Sequence, residues 1–239
     1  MGPLPSEGTK LTLGYWKIRG LAAPVRMMCM AAGVPLEFKG YELLDKPDGG
    51  YDGSAWFAED KPPLAKINPL MNLPYLIDGN ILMTQSQPIY LYLADKCDMA
   101  GKTPEEKINV QQTLAQVYDL RNALIDIVYG PLADFESKWE SYLDSRAQSH
   151  FAKLEAWLET TGTPFLAGPK PTVADFHCWE MVDIHDLFAK EKGKPSVLSK
   201  CPKLAAIHAA IKALPELAPY WSDEGGYKLA INNKMAHFK

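Results

Sequence analysis

Asn72-Leu73-Pro74-Tyr75-Leu76-Ile77-Asp78-Gly79, followed by Thr84-Gln85-Ser86, is the stretch that decides how this chain folds. A Leu-Pro bond in an apolar run reads as a bent, extended segment rather than a strand interior. After it come a short strand, an Asp-Gly turn, a second strand at Ile81-Leu82-Met83, and a polar pair that opens a helix. Gln85-Ser86 sets an amide, a hydroxyl and free backbone N–H groups where a carboxylate can dock. An exposed backbone edge beside an anion site suits a small peptide ligand. The same residues also spell an ordinary hairpin running into a helix, and this motif alone leaves both readings open.

Upstream, Leu11 to Trp16 reads as a strand, and Pro24 to Ala32 as a short helix with proline in its opening turn and Gly33 as its stop. Leu36 to Leu43 predicts a second strand. Lys46 to Lys66 is rich in Pro, Gly, Asp and aromatic residues without a clean period, and predicts a long ordered loop. With the hairpin and a helix over 86–95, the order implies one small mixed sheet carrying helices. Downstream, 98–104 reads as a linker. Thr103-Pro104-Glu105-Glu106 spells a helix start, with a capping threonine, a proline at the first helical position and a glutamate three residues on. Val110, Leu114, Val117, Leu124 and Val128 then recur at helical steps, with Arg121 interrupting the stripe. A second helix carries Ala147, Phe151, Leu154 and Leu158. A third starts at the capping box Thr172-Val173-Ala174-Asp175 and is apolar nearly all round, which places it at the centre of an all-helical unit. Residues 1–10 read as an N-terminal extension, 11–97 as the sheet unit, and 105–239 as the helical unit with a tail.

The chain has 239 residues and a formal net charge of −4. With no basic cluster, nucleic acid is not the expected partner. No apolar run reaches membrane-spanning length, and the first ten residues lack a secretory hydrophobic core, so no membrane is expected. Cys29, Cys97, Cys178 and Cys201 are too far apart for a zinc site or a CxxC motif. Reduced core thiols in a cytoplasmic protein are the expectation. His150, His177, His185, His208 and His237 show no metal spacing.

Four segments together resemble the cytosolic glutathione transferases, most of all the mu class. They are Leu13-Gly14-Tyr15-Trp16-Lys17-Ile18-Arg19-Gly20-Leu21, Pro47-Asp48 to Trp56, the 72–86 motif, and Asn233-Lys234-Met235-Ala236. The resemblance implies an α/β thioredoxin-like N-terminal domain that binds glutathione and an all-α C-terminal domain. It implies a homodimer that conjugates glutathione to small hydrophobic electrophiles, with glutathione as co-substrate and no cofactor or metal. A glutathione-dependent isomerase and a non-catalytic glutathione- or lipophile-binding protein remain as alternatives.

By resemblance, Tyr15 is the tyrosine that stabilises the glutathione thiolate. A thiol near pKa 8.5 is mostly protonated at neutral pH, and each unit of lowering needs about 1.4 kcal/mol of preference for the anion. One hydrogen bond aimed at sulfur, helped by local dipoles, supplies that. Asn72 and the backbone of Leu73 match contacts to the peptide, with Pro74 expected cis. Gln85 and Ser86 match the γ-glutamyl contacts. Trp16 and Trp56 match the tryptophans lining the thiol and glycyl ends, although Trp56 reads equally as a loop anchor. Ile18, Leu21 and Tyr129 match the electrophile pocket, with Tyr129 either a donor to a developing oxyanion or a packing residue. Asp119 matches an aspartate that reaches the γ-glutamyl amine across the dimer interface, and otherwise reads as a solvated carboxylate.

The chain also departs from the mu pattern. Gly53 stands in place of an arginine and Asp60 in place of a lysine, with Lys61 one step on as the replacement cation. The interface phenylalanine is Leu70. Asn232 and Asn233 replace an apolar wall and a small hydroxyl, implying a more polar electrophile pocket.

Overall fold

A computed structural model describes residues 11–223 and 225–239. The expected extension over 1–10 lies outside the described residues. Strand β1 (Leu11–Trp16) runs parallel to β2 (Leu36–Tyr41) and antiparallel to β5 (Tyr75–Asp78), which pairs with β6 (Ile81–Thr84). The sheet order is β2-β1-β5-β6. Helix α1 (Ala23–Ala31) joins the parallel pair, and α3 (Ser86–Lys96) follows the hairpin. This is the thioredoxin-like order.

The register explains why three distant segments meet. Gly14 pairs with Tyr75, and Tyr75 with Thr84, so the three form one row across the sheet. Just beyond that row, at the same end, lie Tyr15-Trp16, Leu73-Pro74 and Gln85-Ser86. The row also accounts for Gly14. A Cβ there would sit 2.1 Å from Tyr75 Cε1, so only glycine lets the ring lie across β1.

Residues 46–66 are the main departure from expectation. Two short strands, β3 (Leu44–Asp45) and β4 (Tyr51–Asp52), pair antiparallel. From Ala55 the chain is helical, with a wide π turn (Ala55–Asp60) leading into α2 (Lys61–Ile67). Pro62 and Pro63 hide this helix from a periodicity search. They fall at the start of α2, directly after the π turn, where their fixed φ suits the helix. Trp56 roots the segment. It is 1% exposed, stacks on Tyr75 with centroids 5.8 Å apart, and tilts against Tyr41 at 5.2 Å.

The second unit is helical: α4 (Pro104–Val128), α5 (Leu132–Ser141), α6 (Ala147–Thr161), α7 (Val173–Glu191), α8 (Pro202–Lys212) and α9 (Ala218–Ser222). Both expected capping boxes form. Glu106 N–H donates to Thr103 Oγ1 at 3.1 Å. Asp175 accepts from the Thr172 backbone N–H and hydroxyl, each at 2.8 Å, and from Leu166 N–H, also at 2.8 Å. Capping therefore accounts for Asp175, whose pKa burial pushes up to about 6. Helix α7 is the buried axis of this unit and packs on α4, α8 and, across the seam, α1. Among the described residues, no helix is long and apolar enough to cross a membrane, and no three potential metal ligands cluster. All four cysteines are buried free thiols.

Candidate active site

Tyr15 is the penultimate residue of β1 and is 6% exposed. The backbone N–H of Leu21 faces its phenol oxygen and favours the ionised form. Burial pushes its pKa up, against the opposing pull of Arg121, that N–H and Arg26. Tyr15 is thus a neutral phenol at neutral pH, with its own proton left to donate. Gly20, at φ +39°, lets the chain turn tightly around the ring, since a Cβ there would lie 3.0 Å from the hydroxyl.

Beside Tyr15 lies a cavity of about 220 Å³, between β1, α4, α7 and the C-terminal tail. Trp16, Ile18, Tyr129, Asn232 and Asn233 line it. Leu21 does not line it; only its backbone N–H faces Tyr15. Arg121, Met181 and Ile184 are wall residues the sequence reading did not select. For Arg121 the signal was present, as a cation set into an apolar helical stripe. Tyr129 accepts from Asn233 N–H at 3.0 Å, and burial raises its pKa, so it too remains a neutral phenol. The two asparagines add less polarity than expected. Asn232 gives an amide hydrogen to the Phe238 carbonyl at 3.0 Å, and Asn233 Oδ1 takes the Met235 N–H at 3.0 Å.

Along the sheet end, the Leu73–Pro74 bond is cis, as expected. Thr84 latches this loop. Its Oγ1 accepts from Asn72 N–H at 3.1 Å and lies 2.7 Å from the Asn72 carbonyl and 3.0 Å from that of Pro74. Asn72 is exposed, and the Leu73 backbone keeps its hydrogen-bonding groups unspent among the described residues. Gln85 is exposed at φ +74°, a conformation that turns the chain sharply into α3. Ser86 Oγ accepts from the Tyr118 hydroxyl at 2.6 Å.

At the other end of the groove, Asp60 accepts from Tyr41 at 2.6 Å and pairs with Lys39 at 2.5 Å. These contacts outweigh burial and hold its carboxyl below the usual range. Lys61 has no ion-pair partner among the described residues and lies 6.0 Å from the Phe57 ring. The space beside Gly53 is filled, since a Cβ there would touch Phe57 and Leu43 at 3.0 and 3.1 Å. Asp119 is exposed on α4, away from the cavity. Leu70 is 72% exposed.

Two family models match in sequence order: the glutathione S-transferase N-terminal domain over residues 11–95 and the C-terminal domain over 118–224. Glutathione S-transferase Mu 1 of Oryctolagus cuniculus is 37% identical, over 95% of this chain and 97% of the relative. The chain belongs to the glutathione S-transferase family. Glutathione S-transferase Mu 2 of Mus musculus is 36% identical over the same shares, so the resemblance is to the mu class. The crystal structure of the glutathione S-transferase Blo t 8 superposes with a TM-score of 0.82 at 28% identity, covering 95% of this chain and 99% of that one. The transferase architecture of a thioredoxin-like domain followed by a helical domain is therefore that of this chain.

Proposed function

We propose that this transferase binds glutathione along the end of the sheet and joins its sulfur to a small hydrophobic electrophile held beside Tyr15. Tyr15 carries the reading: a buried, neutral phenol at the edge of a mainly apolar cavity, with its own proton to donate. Glutathione gives up its thiol proton to solvent, and the Tyr15 hydroxyl donates to the resulting thiolate. The sulfur then attacks the electrophilic carbon, forming an S–C bond as the leaving group departs with its electron pair. Where the acceptor is an enone or epoxide, negative charge gathers on its oxygen, and the cavity offers Tyr129 and Arg121 to meet it.

In this reading Leu73 pairs through its backbone with the cysteinyl part, and Asn72 contacts the peptide through its side chain. Gln85 and Ser86 receive the γ-glutamyl carboxylate at the start of α3. Trp16 borders the sulfur, Lys61 is the cation for the glycyl carboxylate, and Trp56 seats the loop that carries it. Ile18 and Tyr129 wall the electrophile, and Leu21 acts through its N–H. The glutathione-binding domain is 11–97, the linker 98–104 and the helical domain 105–239. The working form is a cytoplasmic homodimer in which the exposed Leu70 enters the partner and Asp119 reaches the site across the interface.

The test is retention on immobilised glutathione followed by conjugation to 1-chloro-2,4-dinitrobenzene, for the wild type and Tyr15→Phe. Turnover in the wild type, lost in the variant although both bind the matrix, is the expected result. Binding with no turnover by either protein would overturn the transferase mechanism.

A further inference from the structure

Beneath the glutathione groove, two tyrosines flank one histidine. His177 on α7 is 1% exposed, and neither of its ring nitrogens has a hydrogen-bond partner among the described residues. It packs edge-on against Tyr118, with centroids 4.8 Å apart, and against Tyr90, at 5.3 Å. Both phenols lead from this buried centre to the site. Tyr90 donates to the Leu21 carbonyl at 2.8 Å, on the residue whose backbone N–H faces the Tyr15 oxygen. Tyr118 donates to Ser86 Oγ at 2.6 Å, crossing from the helical domain to the first residue of α3.

We propose that Tyr118 is a positioning residue for glutathione, orienting Ser86 so that its hydroxyl donates to the γ-glutamyl carboxylate; this rests on the assignment of Ser86 to that carboxylate. A serine hydroxyl has one proton and rotates freely unless a partner fixes it. With Tyr118 donating to its oxygen, the proton of Ser86 is directed away from the phenol and remains available for a ligand. A hydroxyl that accepts one hydrogen bond also becomes a better donor in the next. The Tyr118 ring is held in turn by the His177 edge, so the serine is aligned from the core and not by solvent.

A double-mutant cycle on glutathione affinity, measured by isothermal titration calorimetry, tests this. Tyr118→Phe keeps the ring against His177 and removes only the donor. We expect Tyr118→Phe and Ser86→Ala each to weaken binding about 5-fold, and the double variant to be no weaker than either. In Tyr118→Phe the loss should fall on KM for glutathione, while kcat and the pH midpoint of the thiol hold, because the substitution touches neither Tyr15 nor its surroundings. Tyr118→Met, a second way to delete the donor, should match Tyr118→Phe. Wild-type affinity in Tyr118→Phe, or losses that multiply in the double variant, would overturn the proposal. If the wild type itself failed to bind glutathione, the assignment of the groove would fall first, and this inference with it.

Discussion

Arg19 and Glu180 form a buried bidentate pair across the domain seam, with Nε to Oε1 at 3.0 Å and Nη2 to Oε2 at 2.8 Å. Nη2 also reaches Asp183 at 2.7 Å, and the guanidinium lies 4.6 Å from the Tyr227 ring centroid. One side chain thus ties the turn after β1 to the buried helix of the other domain.

Removing Arg19 leaves Glu180 buried without its cation, while Asp183 keeps the Tyr227 hydroxyl at 3.2 Å. Arg19→Met should cost about 3–5 kcal/mol of stability, measurable by urea denaturation, and Arg19→Lys should recover only part because the fork geometry is lost. A loss below 1 kcal/mol would mean that solvent screens the seam.

His177 and His185 make stability pH-dependent. Burial lowers their pKa to about 3 and about 4, and His185 stays neutral between the Met181 carbonyl and the Tyr142 hydroxyl. In the unfolded chain they protonate near pH 6.5. The unfolded state therefore binds more protons below that pH, and stability present above 6.5 falls as the pH is lowered toward the folded values. Each histidine should cost about 2 kcal/mol between pH 7.5 and 5. His177→Leu should remove about half of that slope in denaturation series run across the range.

Thr84→Val keeps the shape of the loop latch and deletes its hydrogen bonds to Asn72 and Pro74. Stability should fall by about 1–2 kcal/mol, and glutathione affinity by about 10-fold, as the Leu73 backbone loses its fixed orientation. Titration calorimetry together with a thermal melt separates the two effects.

Arg121 stands on the cavity wall, and its field pulls the Tyr15 pKa down against burial. The same field favours a thiolate at the Tyr15 hydroxyl. Arg121→Leu should shift the pH midpoint of kcat/KM upward by about 0.5–1 unit, and Arg121→Lys should shift it less. An unchanged profile would show that Tyr15 alone sets the thiol.

Features carried by neighbours in sequence were legible before the structure. Leu11–Trp16 matches its strand, and Thr103/Glu106 and Thr172/Asp175 close the capping boxes they spell, because a cap is settled within one helical turn. The hairpin and the start of α3 followed for the same reason. Lys61–Ile67 escaped because its prolines read as loop, although the first turn tolerates them. The Thr84 latch, the Tyr90–His177–Tyr118 cluster and the Arg19–Glu180 pair join residues 10 to 161 positions apart. The latch needs the closed hairpin, and the other two exist only once the domains have docked. Asn232 and Asn233 were found as wall residues, but their polarity was overrated because their partners lie in the tail's own folding.

Three backbone bonds help dock the tail that makes that wall: Arg19 N–H to the Ala230 carbonyl at 2.7 Å, Gly20 N–H to that of Ile231 at 3.2 Å, and His237 N–H to that of Val128 at 2.8 Å. All three use backbone carbonyls, which every side chain leaves in place. Mutations at 232 and 233 leave these docking bonds and Tyr15 on β1 in place, and remodel the chamber at the expense of the Asn232–Phe238 and Asn233–Met235 bonds inside the tail. Which electrophiles are accepted and how the thiol is activated can then evolve as separate traits, and a library confined to the tail is the economical way to retarget this enzyme.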